Sequence, residues 1–169
     1  LGIFAEHQRQ LGDQWRTELG LRYNRVETDA DTVDGTPAIM MRPAAMLRDA
    51  FNAADREQTD DNVDLVARLW FDASDELTYY LGLGRKTRSP AYQERYLWLP
   101  LEATGGLADG LTYTGNIELD PEVAYELEFG LDVNSGRFSL APRLFYREVD
   151  DYIQGTHSKV VPANMFVDM

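Results

Sequence analysis

Five methionines carry the most specific chemistry in this chain. Met40, Met41 and Met46 fall in one long irregular stretch, and Met165 and Met169 in the last segment. A thioether is a soft ligand suited to copper(I), so the five together form a candidate copper path. The competing reading is that they are flexible apolar side chains packing between loops. His7 and His157 stand alone, and lone histidines are more often structural or exposed than ligating. Asp29, Asp31, Asp34, Asp60 and Asp61 make the loop ends acidic. They would attract a cation or calcium, or simply be solvated. No cysteine is present, which removes thiolate sites and disulfides. There is no HExxH, no phosphate loop and no defensible Ser-His-Asp set, so no enzyme is expected. No resident cofactor is expected either; copper enters only as a transported substrate.

The elements that must position these residues alternate with a period of two. Tyr125, Leu127, Phe129, Leu131 and Val133 are interleaved with Glu126, Glu128, Gly130 and Asp132. One strand face is therefore apolar and the other charged. After Asn134-Ser135-Gly136 the alternation resumes with Phe138, Leu140, Leu144 and Tyr146, which predicts a hairpin. Pairing Val133 with Phe138 would set Tyr125 against Tyr146 and Glu128 against Arg143, an opposite-charge cross-strand pair. The same period runs through 1–9, 14–26, 63–71 and 77–85. With a turn at Leu11-Gly12-Asp13, Phe4 would lie across from Gly20. Between the hairpins lie excursions of over thirty residues, 27–62 and 86–120, and a third begins at Arg147. The first of them has room for a short helix over 44–54.

Six such strands fit either a soluble sandwich or a transmembrane barrel. Three features favour the barrel. Strands of about ten residues, tilted, span the ~25 Å apolar band of an outer-membrane barrel. Aromatic residues (Trp15, Tyr23, Tyr125, Phe138, Tyr146) sit at the strand ends with leucine between them, as in an interfacial girdle. Short turns also alternate strictly with long loops, for which a sandwich gives no reason. The net charge of -13 argues against a nucleic-acid partner. A mean hydropathy of -0.41 is compatible with a barrel, because lipid meets only alternate residues. Six strands cannot close such a barrel, so residues 1–169 are expected to be an antiparallel arc of a larger one, a fragment of a longer protein.

At this point the residues show a family likeness. Gly115-Asn116-Ile117-Glu118-Leu119-Asp120-Pro121-Glu122, followed by Tyr125-Glu126-Leu127-Glu128-Phe129-Gly130, resembles the G-N-x-x-L-x-P-E…YELE-G segment of TonB-dependent outer-membrane receptors. Gly20-Leu21-Arg22-Tyr23 is similar to their G-x-R-Y strand, and Phe145 to Ile153 is also typical of them. Residues 85–98 (RKTRSPAYQERYLW) resemble the copper receptors of that family. The resemblance implies an all-β, 22-stranded barrel in the bacterial outer membrane, with long extracellular loops. It also implies an N-terminal plug domain and a TonB box, neither of which lies in this chain. The implied partners are outer-membrane lipid and lipopolysaccharide, the plug, and the TonB complex through the plug. The implied activity is energised import of copper or another metal complex. A siderophore or other nutrient receptor is the alternative within the architecture, and a soluble β-rich binding module the alternative outside it.

Overall fold

The computed structural model describes residues 1–34, 42–99, 101–102, 111–159 and 164–169. Among these the chain runs β1 (Gly2–Leu11), β2 (Trp15–Thr28), α1 (Arg42–Ala53), β3 (Gln58–Ser74), β4 (Leu77–Arg88), α2 (Tyr92–Tyr96), β5 (Leu101–Glu102), β6 (Thr112–Thr114), β7 (Glu122–Ser135), β8 (Phe138–Leu140), β9 (Arg143–Asp150), β10 (Gln154–His157) and β11 (Asn164–Val167). They divide into two compact units. A wall unit holds residues 1–25, 61–88 and 123–150. A loop unit holds 26–60, 89–122 and 151–169.

The wall unit is a seven-stranded sheet in the order β1-β2-β3-β4-β7-β8, with β9 also on β7. Pairing within each hairpin is antiparallel. Between hairpins, Gln14 meets Asp72 and Glu18 meets Arg68, while Tyr23 meets Asp61, so β2 and β3 also run in opposite directions. The same holds for β4 and β7, where Glu76 meets Asn134 and Lys86 meets Glu126. All three short turns therefore lie at one end of the wall. Period-two alternation dictated this outcome: β-branched, aromatic and leucine residues on one side of each strand need a sheet to share that side.

Two expected registers are corrected. Phe4 pairs with Arg22, and Gly20 pairs with Glu6. The first turn occupies Gly12–Gln14 and closes Leu11 onto Trp15, one residue later than expected. Gly12 adopts φ 67 there, a conformation glycine takes without steric cost. Gly20 is covered by Val66, whose Cγ1 would lie 2.6 Å from an added Cβ. In the second case Gly136-Arg137 form a two-residue turn closing Ser135 onto Phe138. Val133 then pairs with Leu140, Leu127 with Tyr146, and Tyr125 with Glu148. Arg143 lies opposite Gly130 rather than Glu128. Both slips are by two residues, so every side chain keeps its face.

The strand expected to run from Phe138 to Tyr146 is interrupted at Ala141-Pro142 and appears as β8 and β9. Proline has no N–H for the ladder, yet its carbonyl still accepts from Leu131 N (3.2 Å), and the register continues across the gap. The helix expected over 44–54 forms as α1. The excursions hold more structure than their sequence suggests. Residues 89–122 include α2, β5 and β6, and the last segment includes β10 and β11. In the loop unit these strands make a four-stranded sheet, β10-β11-β6-β5, in which β11 and β6 run parallel. Its core is Tyr113, Leu119, Ile153 and Phe166.

Candidate functional site: a two-faced wall and a clamped loop platform

One face of the wall, made of odd-numbered residues in β1–β4 and β7 and even-numbered ones in β8 and β9, is apolar, and near the short turns it carries a continuous aromatic chain. Trp15 meets Phe71 (4.4 Å between centroids), Phe71 meets Tyr79 (6.3 Å), and Tyr79 meets Phe129 (6.5 Å). Four strands thus contribute one ring each at one level. Farther along the strands come leucines, of which Leu19, Leu21, Leu83 and Leu127 are about half exposed. Tyr23 and Tyr125 follow toward the other end, while Tyr146 is level with Leu127, and Glu148 lies opposite Tyr125. The aromatic–leucine–aromatic banding expected from the strand ends is present, and Phe71, Tyr79 and Phe129 extend it. His7 lies on this face, paired with Leu19.

The opposite face is charged, and several of its charges pair within the wall. Arg68 bonds Glu18. Arg143 reaches Asp132 at 2.6 Å and Glu128 at 3.7 Å. Gly130 makes this possible, because an added Cβ would lie 2.5 Å from Arg143 Cδ. The Glu128–Arg143 pair therefore forms diagonally, around a glycine. Glu126 lies between Lys86 (3.5 Å) and Arg147 (3.6 Å). Arg16 sits over the Trp70 ring (4.9 Å), Trp70 against Tyr80 (5.4 Å), and Arg143 over Tyr80 (5.4 Å). This cation–aromatic ladder crosses β2, β3 and β4 and ends on a residue of β9.

In the loop unit a buried clamp joins its separate segments. Arg95 on α2 is 2% exposed and Asp60 6%. The guanidinium donates two parallel bonds to the carboxylate, at 2.8 and 2.6 Å, and a third to the Leu119 carbonyl at 2.9 Å. Next to it the Tyr96 hydroxyl donates to the Arg56 carbonyl at 2.8 Å and lies 3.0 Å from Thr28 Oγ1. Arg56 in turn caps the end of α1 by donating to the carbonyls of Asn52 (2.7 Å) and Phe51 (3.1 Å). α2 is only five residues long and is held by its surroundings. Glu94 accepts from Ala91 N at 2.6 Å, and Gly115 N donates to the Leu97 carbonyl at 2.7 Å.

Gly115 explains part of the G-N-x-x-L segment. An added Cβ would lie 2.6 Å from the Arg95 carbonyl oxygen and 2.8 Å from Leu97 N, both backbone atoms. Gly115→Ala is therefore expected to destabilise the loop unit by about 1–3 kcal/mol. Faster limited proteolysis across 89–122 would report it; an unchanged cleavage rate would show that the backbone yields without cost.

The methionine candidates are dispersed over several elements. Met46 is on α1 and 71% exposed. Met165 is on β11, paired with Thr156. Met169 Sδ accepts from Gln154 Nε2 at 3.3 Å. Met40 and Met41 lie outside the described residues. Among the described residues no three His, Asp or Glu side chains converge as a metal site would need. Of the acidic candidates, Asp60 belongs to the clamp and Asp61 accepts from the Tyr23 hydroxyl at 2.6 Å. Sequence reasoning missed Arg95, Tyr96 and Asp60 as a unit. Their partners are 24 to 68 residues apart in the chain, and no period links them.

A family model described as TonB dependent receptor-like, beta-barrel, matches residues 1–164. The chain belongs to the TonB-dependent receptor β-barrel family. It is thus part of an outer-membrane protein of the Gram-negative type, which sets the soluble-module alternative aside. Among solved structures it is similar to the copper transporter OprC, with 22% identity and a TM-score of 0.69, covering 99% of this chain and 24% of that one. It is also similar to the FrpB iron transporter from Neisseria meningitidis (F3-3 variant), with 16% identity, a TM-score of 0.63 and coverage of 99% and 20%. A third is the Serratia marcescens hemophore receptor HasR in complex with its hemophore HasA and heme, with 17% identity, a TM-score of 0.63 and coverage of 99% and 29%. No curated protein sequence matches. The chain spans about a quarter of the length of the first of these structures.

Proposed function

We propose that this chain is an arc of the barrel of an active outer-membrane importer, and that its cargo is copper or another metal complex. The observation that carries the reading is the two-faced wall. The banded apolar face meets lipid, and the charged, internally paired face meets a lumen filled by an N-terminal plug domain. A wall that already pairs several of its lumen charges gives a plug a polar surface to slide on with few charges left to strand. In this reading the short turns of the wall face the periplasm. The TonB complex acts through a TonB box on the plug, moving the plug and admitting the cargo.

Copper is supported by the thioethers of Met46, Met165 and Met169, which suit a soft monovalent ion. The fold likeness to a copper transporter points the same way. An iron, heme or siderophore cargo is the second reading, favoured by the likeness to FrpB and HasR. Uptake separates them. Cells lacking the gene are expected to accumulate several-fold less copper under copper limitation, with iron uptake unchanged. Normal copper accumulation together with lost growth on an iron complex would overturn copper and favour the second reading.

A further inference from the structure

Pro142 leaves a gap in the wall's hydrogen bonding. The register runs on across Ala141-Pro142, with Arg143 opposite Gly130 and Leu140 opposite Val133, so Pro142 lies opposite Leu131. Leu131 N donates to the Pro142 carbonyl at 3.2 Å. In an antiparallel ladder such a pair exchanges two bonds, and the second would run from the N–H of residue 142 to the Leu131 carbonyl. Proline has no N–H to donate. In a wall that meets hydrocarbon, a carbonyl left without a donor is costly, because no water reaches it from that side.

Arg143 closes the gap. Its Nη1 donates to the Leu131 carbonyl at 2.9 Å and to the Pro142 carbonyl at 3.1 Å. Its Nη2 donates to Asp132 Oδ1 at 2.6 Å, and its Nε lies 3.7 Å from Glu128 Oε1. The guanidinium thus supplies the donor that residue 142 lacks, steadied by two carboxylates and by the Tyr80 ring at 5.4 Å. It reaches the carbonyl by folding back across β7 over Gly130, where an added Cβ would lie 2.6 Å from Nη1. Gly130, Pro142 and Arg143 therefore act as a set. On the turn side of the gap, β8 is a three-residue arm, exposed throughout. Among the described residues it pairs with β7 alone, through Val133↔Leu140, Asn134↔Ser139 and Ser135↔Phe138. The β7 side is anchored separately, since Asn134 N donates to the Glu76 carbonyl at 2.8 Å.

We propose that Ala141-Pro142 is a hinge in the wall and Arg143 its latch, so that β8 swings away from β7 while β9 stays paired. Arg143 is the positioning residue, acting as a side-chain substitute for a backbone N–H. The moving arm lies at the short-turn end, which the barrel reading places at the periplasm. The hinge is independent of the cargo, and only the high cost of the stranded carbonyl rests on the barrel reading.

The test is amide hydrogen exchange on the full-length receptor folded into lipid vesicles, comparing residues 131–141 with 123–129. Arg143→Met is expected to quicken exchange over 131–141 about ten- to hundred-fold, the size of a lost charged hydrogen bond, and to leave 123–129 unchanged. Pro142→Val restores an N–H to the ladder. Alone it is expected to slow exchange over 131–141, and in that background Arg143→Met is expected to quicken it by less than about three-fold. An arginine that merely balanced Asp132 and Glu128 would matter equally in both backgrounds. Heat-modifiable migration on gels checks that each variant is a folded barrel. Unchanged exchange in folded Arg143→Met overturns the latch. Equal quickening in both backgrounds, or no slowing in Pro142→Val alone, overturns the substitute donor. Quickening that spreads over all of 123–150 overturns the hinge. Recovery of the full-length protein from the soluble fraction would overturn the barrel reading, and the same exchange comparison in solution would still decide the latch.

Discussion

Arg95→Ala in the full-length receptor is expected to destabilise the loop unit by about 3–5 kcal/mol, the largest single effect in that unit. The reason is asymmetric. The Arg95–Asp60 pair is buried on both sides, with side chains 2% and 5% exposed. Formation of such a pair contributes little net, because both ions lose their water. Removing one partner is different, since it leaves a buried carboxylate with nothing in its place and an empty position under the Leu119 carbonyl. Arg95→Lys is expected to fail as well. An ammonium cannot supply two parallel bonds to the carboxylate and a third to a carbonyl in one plane. The double variant Arg95→Met/Asp60→Leu is expected to recover most of the loss, since no buried charge remains. Amide hydrogen exchange over 89–122 is the measurement. Unchanged protection in Arg95→Ala would mean that α2 is held by Gly115 and Tyr96 and that the ion pair is dispensable.

This clamp also marks the limit of what the sequence made legible. The wall could be read because a period of two encodes it residue by residue. Both misplaced turns left the faces intact, since a slip of two returns each side chain to its own side. Leu127 was assigned to the apolar face and Glu128 to the charged face, and both assignments hold despite the wrong partners. The loop unit has no such redundancy. Asp60 read as one more acid in a solvated run, yet it is 6% exposed because Arg95 arrives from 35 residues away. Nothing in the residues around Asp60 distinguishes it from Asp61, whose partner is instead Tyr23. The parallel pairing of β11 with β6 brings Met165 level with Thr114, across 51 residues of chain, and no local pattern encodes it. The Gly115-Asn116 segment was informative as a family motif. Its physical reason, the backbone of α2 pressed against Gly115, appears only once α2 is in place.

Leu127→Arg is expected to destabilise the folded barrel by about 2–4 kcal/mol, whereas Phe145→Arg should change it by less than about 0.5 kcal/mol. Leu127 and Phe145 are both large, apolar and exposed, at 45% and 78%. Hydrophobicity alone would therefore rank Phe145 as the more sensitive. The register separates them. Leu127 pairs with Tyr146 on the apolar face near the middle of β7, while Phe145 pairs with Glu128 on the charged face. If the first face meets hydrocarbon, a guanidinium at Leu127 has no water and no partner, and it lies too deep to reach either headgroup layer without bending the bilayer. An arginine at Phe145 would instead join Glu128 beside Arg143, where charge is already the rule. Denaturant titration of the full-length barrel folded into lipid vesicles measures both. Equal tolerance of the two substitutions would remove lipid from the apolar face. It would leave the aromatic chain from Trp15 to Phe129 to be explained by some other covering surface. A large loss at Leu127 alone makes this face the outside of the barrel, and with it fixes which set of charges a plug can touch.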